Sequence, residues 1–373
     1  MPATFRRRSR TLRRLTLVGL LALVAGCSGE GEQGPEATSA AAKGWTLTAL
    51  ARGVKPTLAL DGAGNPAVSY VRQGVGGWVE FASAADDWKA TRISEGNYAG
   101  PADLDFDERG RPHVAWHDHE NAEVSARNGN LVHAVREGGA WQVATARDQG
   151  HDGFQTSIAV GGGVVHAAGI EPIQYQTDQG VEHYVLEDGA WSVASIGTGP
   201  LEYSYDVSLA LGPAGPALTY FDDRAEALVY AASDGEEWTL ERVASGGEAG
   251  KRSSLAIDPA GRPHVAFLQE GIVRYAVRER NGWRVEPVGA GAGGVALALG
   301  PDGLPQVAFV AGRTVWQGFR RGSVWAAEEV AVAQGRPFGA RISLAVDASG
   351  KPHVVFAELL GSKRGVVVYA TRS

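Results

Sequence analysis

Leu344-Ala345-Val346-Asp347-Ala348-Ser349-Gly350-Lys351-Pro352-His353-Val354-Val355-Phe356 reads as two apolar runs of period two, hinged on a turn. Asp and Gly supply the turn, and Pro opens the second run, where a strand loses no ladder donor. The first run returns as Leu58-Ala59-Leu60-Asp61, Leu104-Asp105-Phe106-Asp107, Ile158-Ala159-Val160-Gly161, Leu209-Ala210-Leu211-Gly212, Leu255-Ala256-Ile257-Asp258 and Leu297-Ala298-Leu299-Gly300. Successive starts are 46, 54, 51, 46, 42 and 47 residues apart, the period of four-stranded propeller blades. The expectation is an all-β chain, a seven-bladed β-propeller with four antiparallel strands in each blade.

The rest of each repeat fits that reading. A third strand follows in Leu228-Val229-Tyr230, Val273-Arg274-Tyr275 and Val367-Val368-Tyr369, and a fourth carries Trp88, Trp141, Trp191, Trp238, Trp283 or Trp325. That makes six tryptophan strands for seven phrases, because the chain ends soon after Tyr369. The missing strand stands at the other end, in Trp45-Thr46-Leu47-Thr48-Ala49-Leu50, and is expected to close the ring so that no sheet edge stays open. Residues 44–373 are thus one domain.

The first residues read as an address. Six arginines among the first fourteen residues precede an apolar run, Leu15 to Gly26, too short to span a bilayer. The run ends Val24-Ala25-Gly26-Cys27, which resembles a bacterial lipobox, and Cys27 is the one cysteine in the chain. The resemblance implies a signal peptide over residues 1–26 and palmitate-type lipidation of Cys27. Export by the general secretory route is expected, although Arg13-Arg14 also invites a twin-arginine reading. Residues 28–43 are rich in Gly, Glu, Ser, Thr and Ala without apolar periodicity, so 27–43 read as the lipidated cysteine and its tether. Ser28 after the cysteine implies sorting to the outer membrane of the cell envelope, and a monomer is expected.

Removing residues 1–26 takes the formal charge from −7 to −13. Such an acidic body, with no cluster of Lys and Arg, disfavours nucleic acid as a partner.

Residues that recur in most blades serve the blade. His113, His264 and His353 open second strands and are expected to pack or hydrogen-bond near the turn, while the tryptophans pack between blades, an aromatic sugar platform being the alternative. Departures from the repeat are therefore the candidate site. The second connection of a blade lies on the same face as the blade-to-blade connection, and it is longest in blades 2 and 3. Blade 2 supplies His117-Asp118-His119-Glu120, and Asp148, His151 and Asp152 follow. Blade 3 gives Glu171, then Glu202, Tyr203, Tyr205 and Asp206, and blade 4 gives Asp222-Asp223-Arg224. Imidazoles at 117, 119 and 151 suit a divalent transition metal, and the carboxylates alone suit calcium. A solvated acidic rim is the competing reading, and no other cofactor is signalled.

Three residues before each first apolar position stand Lys55, Pro101, Gln155, Asp206, Arg252, Gly294 and Arg341, which should ring the channel mouth. A basic sector there and an acidic one opposite would suit a polar, carboxylated saccharide; rim solvation is the alternative. The expected ligand-binding set is His117, Asp118, His119, His151, Glu171, Asp206, Asp222, Arg252 and Arg341.

The Ala-Val-Asp-x-x-Gly-x-Pro-His-Val pattern resembles the strand-turn-strand units of bacterial propellers of the NHL-type and sialidase-like groups. The sialidase Asp-box, Ser-x-Asp-x-Gly-x-x-Trp, is absent. A sialidase-like enzyme would need an arginine triad with a tyrosine and an acid; Arg72, Arg252 and Arg341 with Tyr203 or Tyr205 are the residues available. Two function classes follow: a surface-tethered module that binds a saccharide or a protein partner, and a glycan-acting hydrolase or lyase. No Gly-x-Ser-x-Gly, His-Glu-x-x-His or phosphate loop is present, which favours binding.

Overall fold

The computed structural model describes residues 39–373 apart from 73–76, 95–98, 119–128, 148–152, 172–179, 199–205, 334–335 and 360–364, with backbone alone at 336–340. Apart from one 3₁₀ turn at Ala84–Asp86, the regular elements described are all strands. They form seven antiparallel sheets, and the seven-bladed propeller is the observed fold. Blade 1 runs outward from the axis through Val54–Leu60, Pro66–Arg72, Trp78–Ser83 and Thr91–Arg92. The inner strands of blades 2 to 6 are Ala102–Phe106, Phe154–Gly161, Ser208–Gly212, Ser253–Ile257 and Val295–Leu299. Blade 7 runs through Arg336–Val346, Pro352–Leu359 and Gly365–Arg372, and its outer strand is Trp45–Arg52 from the beginning of the fold. That strand pairs Trp45 with Arg372 and Thr48 with Tyr369, as the strand count requires.

The alternation of each phrase places its apolar side chains between neighbouring sheets. Val68, Val114, Val265, Val307 and Val354, one in the second strand of each of five blades, have no exposed surface. Each cluster of buried side chains spans two or more blades, so blades share their cores and cannot bury them alone.

Two polar devices fix one blade to the next. Near the axis, the side chain just before the first apolar residue accepts that residue's N–H from the following blade. Ser157 Oγ takes Leu209 N at 3.1 Å, Ser208 takes Leu255 at 3.0 Å, Ser254 takes Leu297 at 3.0 Å, and Ser343 takes Leu58 at 3.2 Å. Blade 2 has a carboxylate there: Asp103 Oδ2 accepts Ile158 N at 3.0 Å and the Ser157 hydroxyl at 3.1 Å. At the outer rim the tryptophans do the equivalent. Trp141, Trp283 and Trp325 stand edge-on to Phe81, Tyr230 and Tyr275 of the preceding blade, with centroids 5.3–5.4 Å apart. Their indole N–H groups donate to Thr91, Glu241 and Glu286. Trp45 repeats this by donating to Glu328 Oε1 at 3.1 Å, and Arg372 Nε donates to the same oxygen at 2.9 Å.

The repeated histidines are structural, as expected. His264 is buried, with Nδ1 2.5 Å from Tyr275 OH and Nε2 3.4 Å from Asp258; His353 stands in the same way between Tyr369 and Asp347. The aspartate also accepts turn amides, for example those of Ser349 and Lys351, which holds the Asp347 carboxyl down at about 2 despite the opposing effect of its partial burial.

The fold begins ahead of the repeat. Ala40–Ala41 pair with Val332 and Ala331 as a fifth strand on blade 6, and both the N–H and the hydroxyl of Ser39 donate to Glu358, a fully buried carboxylate in blade 7.

Deleting residues 44–52 removes Trp45 and opens the edge of the seventh sheet. Calorimetry of that variant should show loss of the cooperative melt or aggregation, and Trp45→Ala alone should lower stability by roughly 3 kcal/mol or more. A deletion variant that melts like the parent would show that the ring does not depend on this strand.

Candidate functional site

The ring leaves a cavity of about 120 Å³ at its axis, lined by inner-strand residues of all seven blades. The serine ladder forms part of its wall. Its mouth is different, and the difference begins in the backbone. The inner strands of blades 1, 3 and 7 carry β-bulges, between Val54 and Thr57, Phe154 and Ser157, and Pro337 and Ile342. A bulge inserts residues into one strand and re-aims a side chain. Lys55 and Gln155 sit inside two of these bulges with φ of 54°, a left-handed conformation that costs a non-glycine residue of order 1 kcal/mol or more. Arg341 sits inside the third.

Two of the bulged residues meet, and the third lies close enough to feel the charge of one of them. Arg341 Nη2 donates to Gln155 Oε1 at 3.1 Å, a bond between blades 7 and 3 that crosses the axis. Burial pushes the Lys55 ammonium down to about 8, and the nearby Arg341 charge adds to the effect. On the acidic side, Asp206 Oδ1 accepts Arg252 Nη1 at 3.2 Å. Burial pushes the Asp206 carboxyl up, and Arg252 and Arg341 oppose that rise. Burial likewise raises Asp103, against the pull of Arg341 and the amides it accepts. Arg341 is thus the hub of a mixed cluster: one lysine, two arginines, two carboxylates and an amide, drawn from blades 1, 2, 3, 4, 5 and 7. Such a cluster offers fixed donors and acceptors of both signs to a polyhydroxylated or anionic molecule.

Of the expected residues, Asp206, Arg252 and Arg341 belong to this cluster. His117 does something else. It is 1% exposed, its ring lies tilted against Phe154 with centroids 3.8 Å apart, and a side chain at Gly129 would collide with it, so it is walled in between blades 2 and 3. Asp118 and Glu171 are half-buried ends of second strands. Asp222 caps its own turn, accepting the amides of Arg224 and Ala225. Arg72 lies 3.9 Å from Glu80. His119 and His151 lie outside the described residues, as do Cys27, Glu120, Asp148, Asp152, Glu202, Tyr203 and Tyr205. Among the described residues no group of three or more His, Cys, Asp or Glu is placed to hold a metal ion.

Lys55, Gln155 and Asp103 complete the cluster beyond the expected set. Asp103 had a signal: it is the one acid at a position occupied by Thr57, Ser157, Ser208, Ser254, Ala296 and Ser343 in the other blades.

No family model matches the sequence, and no curated protein matches it. Solved structures do match in fold. An α-L-arabinofuranosidase from Fusarium graminearum, a point mutant in complex with an iminosugar inhibitor, superposes with a TM-score of 0.56 at 14% identity over 74% of this chain and 93% of that one. The Aleuria aurantia lectin, in complex with a fucose-containing disaccharide, gives 0.52 at 16% identity over 76% and 97%. A Penicillium chrysogenum α-L-arabinanase complexed with arabinobiose gives 0.52 at 12% identity over 90% and 98%. At these identities the likeness is one of fold.

Because Lys55 is more acidic folded than unfolded, the folded chain binds fewer protons between about pH 8 and 10.5. Its burial penalty is therefore fully present below pH 8 and is relieved as pH rises through that window. Arg341→Gln should raise the Lys55 value part of the way back toward that of an ordinary lysine, read from the pH dependence of amine labelling at Lys55 by peptide mass spectrometry. An unchanged titration would remove Arg341 as a cause.

Proposed function

We propose that this chain is a membrane-tethered binding propeller that takes a polar ligand, a saccharide, at the mouth of the ring. The observation that carries this reading is the cluster around Arg341. Three bulges, two of them holding non-glycine residues at positive φ, bond a side chain of blade 7 to one of blade 3 across the axis and set the blade 1 lysine within reach of the same arginine's charge, and a fold does not need that strain to close. Saccharide is favoured because a sugar presents hydroxyls that both donate and accept, matching a site with arginines, carboxylates and an amide side by side. The saccharide ligands of the lectin and arabinanase structures support the same class by analogy of fold.

The address belongs to the proposal. Lipidation at Cys27 anchors the chain in the outer membrane, and the chain joins the propeller on its mouth side, where Ser39 meets Glu358. Cys27→Ser should release the exported protein from membranes and abolish incorporation of labelled palmitate; membrane association unchanged by the substitution would remove the anchor.

A hydrolytic reading has one observation in its favour. Asp103 and Asp206 are both held above the usual carboxylate range by burial, as a general acid must be. Calorimetry of the full chain against arabino-, fuco- and uronate-containing oligosaccharides, with the same mixtures assayed for released sugar, separates the two. Binding without turnover, weakened about tenfold or more by Arg341→Gln, is expected. Turnover lost in Asp206→Asn or Asp103→Asn would establish the enzyme instead, and no binding by any oligosaccharide would end the saccharide reading.

A further inference from the structure

Blade 6 breaks the repeat in a place away from the mouth. In blades 2, 5 and 7 the first-turn aspartate, the second-strand histidine and a third-strand ring form a chain: Asp107–His113–His133, Asp258–His264–Tyr275 and Asp347–His353–Tyr369. Blades 1, 3 and 4 keep part of this chain, whereas blade 6 keeps none of it, with Gly300, Gln306 and Gln317 at the three positions. A carboxylate and two rings are thereby replaced by two slim amides. What remains is a cavity of about 210 Å³ between blades 6 and 7, larger than the one at the axis, with Leu304, Gln306, Gln317 and Phe319 among its walls.

The hydrogen bonds fix which way the amides point. Gly350 O needs a donor, and Gln306 Nε2 supplies it at 3.2 Å. Gln306 therefore presents Oε1 inward, which accepts Gln317 Nε2 at 2.6 Å. Gln317 Oε1 is left without a donor among the described residues, although the residue is only 3% exposed. An unsatisfied buried acceptor costs about 1–3 kcal/mol, so the site favours anything that brings a hydroxyl or N–H to it. The cations at the margin are already neutralised: Arg372 donates to Glu328, and Arg320 pairs with Glu286. That disfavours an anionic ligand. Leu304, 47% exposed, and Phe319 give the cavity an apolar wall. Its volume falls below the roughly 300–1,000 Å³ of drug-sized pockets, which limits the occupant to a single small ring.

We propose that the hollow between blades 6 and 7 is a second ligand site, for a neutral polyhydroxylated ring, with one hydroxyl donating to Gln317 Oε1 and the ring's apolar face lying against Leu304 and Phe319. The site stands independently of the mouth, on different residues and from a different break in the repeat.

The test is to restore the repeat. The full chain is titrated with myo-inositol, L-arabinose and L-fucose by calorimetry and saturation-transfer NMR, as wild type and as the variants Arg341→Gln, Gln317→Leu and Gly300→Asp/Gln306→His/Gln317→Tyr. Wild type should bind at least one probe, and a component of that binding should survive Arg341→Gln, which weakens any binding at the mouth, and fall about tenfold or more in Gln317→Leu. The triple variant should abolish that binding while melting no lower than wild type, since it rebuilds the arrangement of blades 5 and 7. Should the triple variant fail to fold, Gln317→Leu decides alone. The proposal is overturned if no probe binds wild type, which leaves a cavity for water only, or if Gln317→Leu binds as tightly as wild type. Binding lost in Arg341→Gln and kept in Gln317→Leu would assign the probe to the mouth and overturn it equally.

Discussion

The structure depends on one repeated hydrogen bond: a side-chain oxygen of one blade accepting the inner-strand N–H of the next. Each inner strand is the edge of its own sheet, and the amide it turns toward its neighbour has no backbone partner there. Buried without an acceptor, such a group costs about as much as several well-packed methylenes. The ladder of Ser157, Ser208, Ser254, Ser343 and Asp103 supplies those acceptors, and a serine is short enough to do so without holding the blades apart. Two blades depart from the ladder: in blade 1 the Thr57 hydroxyl donates to Ala102 O instead, and blade 6 has no side-chain oxygen there. Blade 6 has Ala296 in the ladder position and Gly294 two residues before it, and a side chain at 294 would come within 3.0–3.1 Å of Ile342, so here the backbones themselves approach.

A ring held this way places its variation where it can be used. The outer tryptophan contacts and the inner ladder recur in most of the ring, leaving the strand starts free to differ. Blades 1, 3 and 7 use that freedom by bulging, whereas blades 4, 5 and 6 begin their inner strands as regular five-residue segments. Six blades then contribute to one cluster, which no single blade could build because its own side chains diverge from the axis.

How much of this was legible follows from the length scale of each interaction. Alternation, turn chemistry and strand count are local, so the seven blades, their order and the closing role of Trp45 could be read from the chain. Residues that depart from the repeat were also legible, but not why they depart. His117 is buried against Phe154 and under Gly129, an environment that sequence spacing alone does not reveal. Lys55, Arg341 and Gln155 stand in equivalent positions of the repeat, yet whether they meet depends on register, and a bulge changes register without leaving a compositional mark. The Arg341–Gln155 bond joins residues 186 apart across the axis, beyond the reach of any pattern within one repeat. Asp103 carried a signal only once the ladder was known, since an acid among serines means little until the serines have a common task.

The electrostatics of the mouth set what it can accept. Lys55 and Arg341 are like charges close enough for one to depress the other, which is unfavourable unless something negative stands nearby. Asp103 and Asp206 answer part of that need, but Asp103 commits its oxygen to the Ile158 amide and the Ser157 hydroxyl, and Asp206 is bonded to Arg252. The Arg341 guanidinium makes its cross-axis bond to Gln155, a neutral amide. Exchanging a neutral acceptor for an anionic oxygen strengthens an arginine's hydrogen bond about twofold, and the same oxygen would relieve the repulsion felt by Lys55. A sugar bearing a carboxylate satisfies both conditions at once. A neutral sugar satisfies neither, and would have to rely on its hydroxyls against Asp206, Arg252 and Gln155.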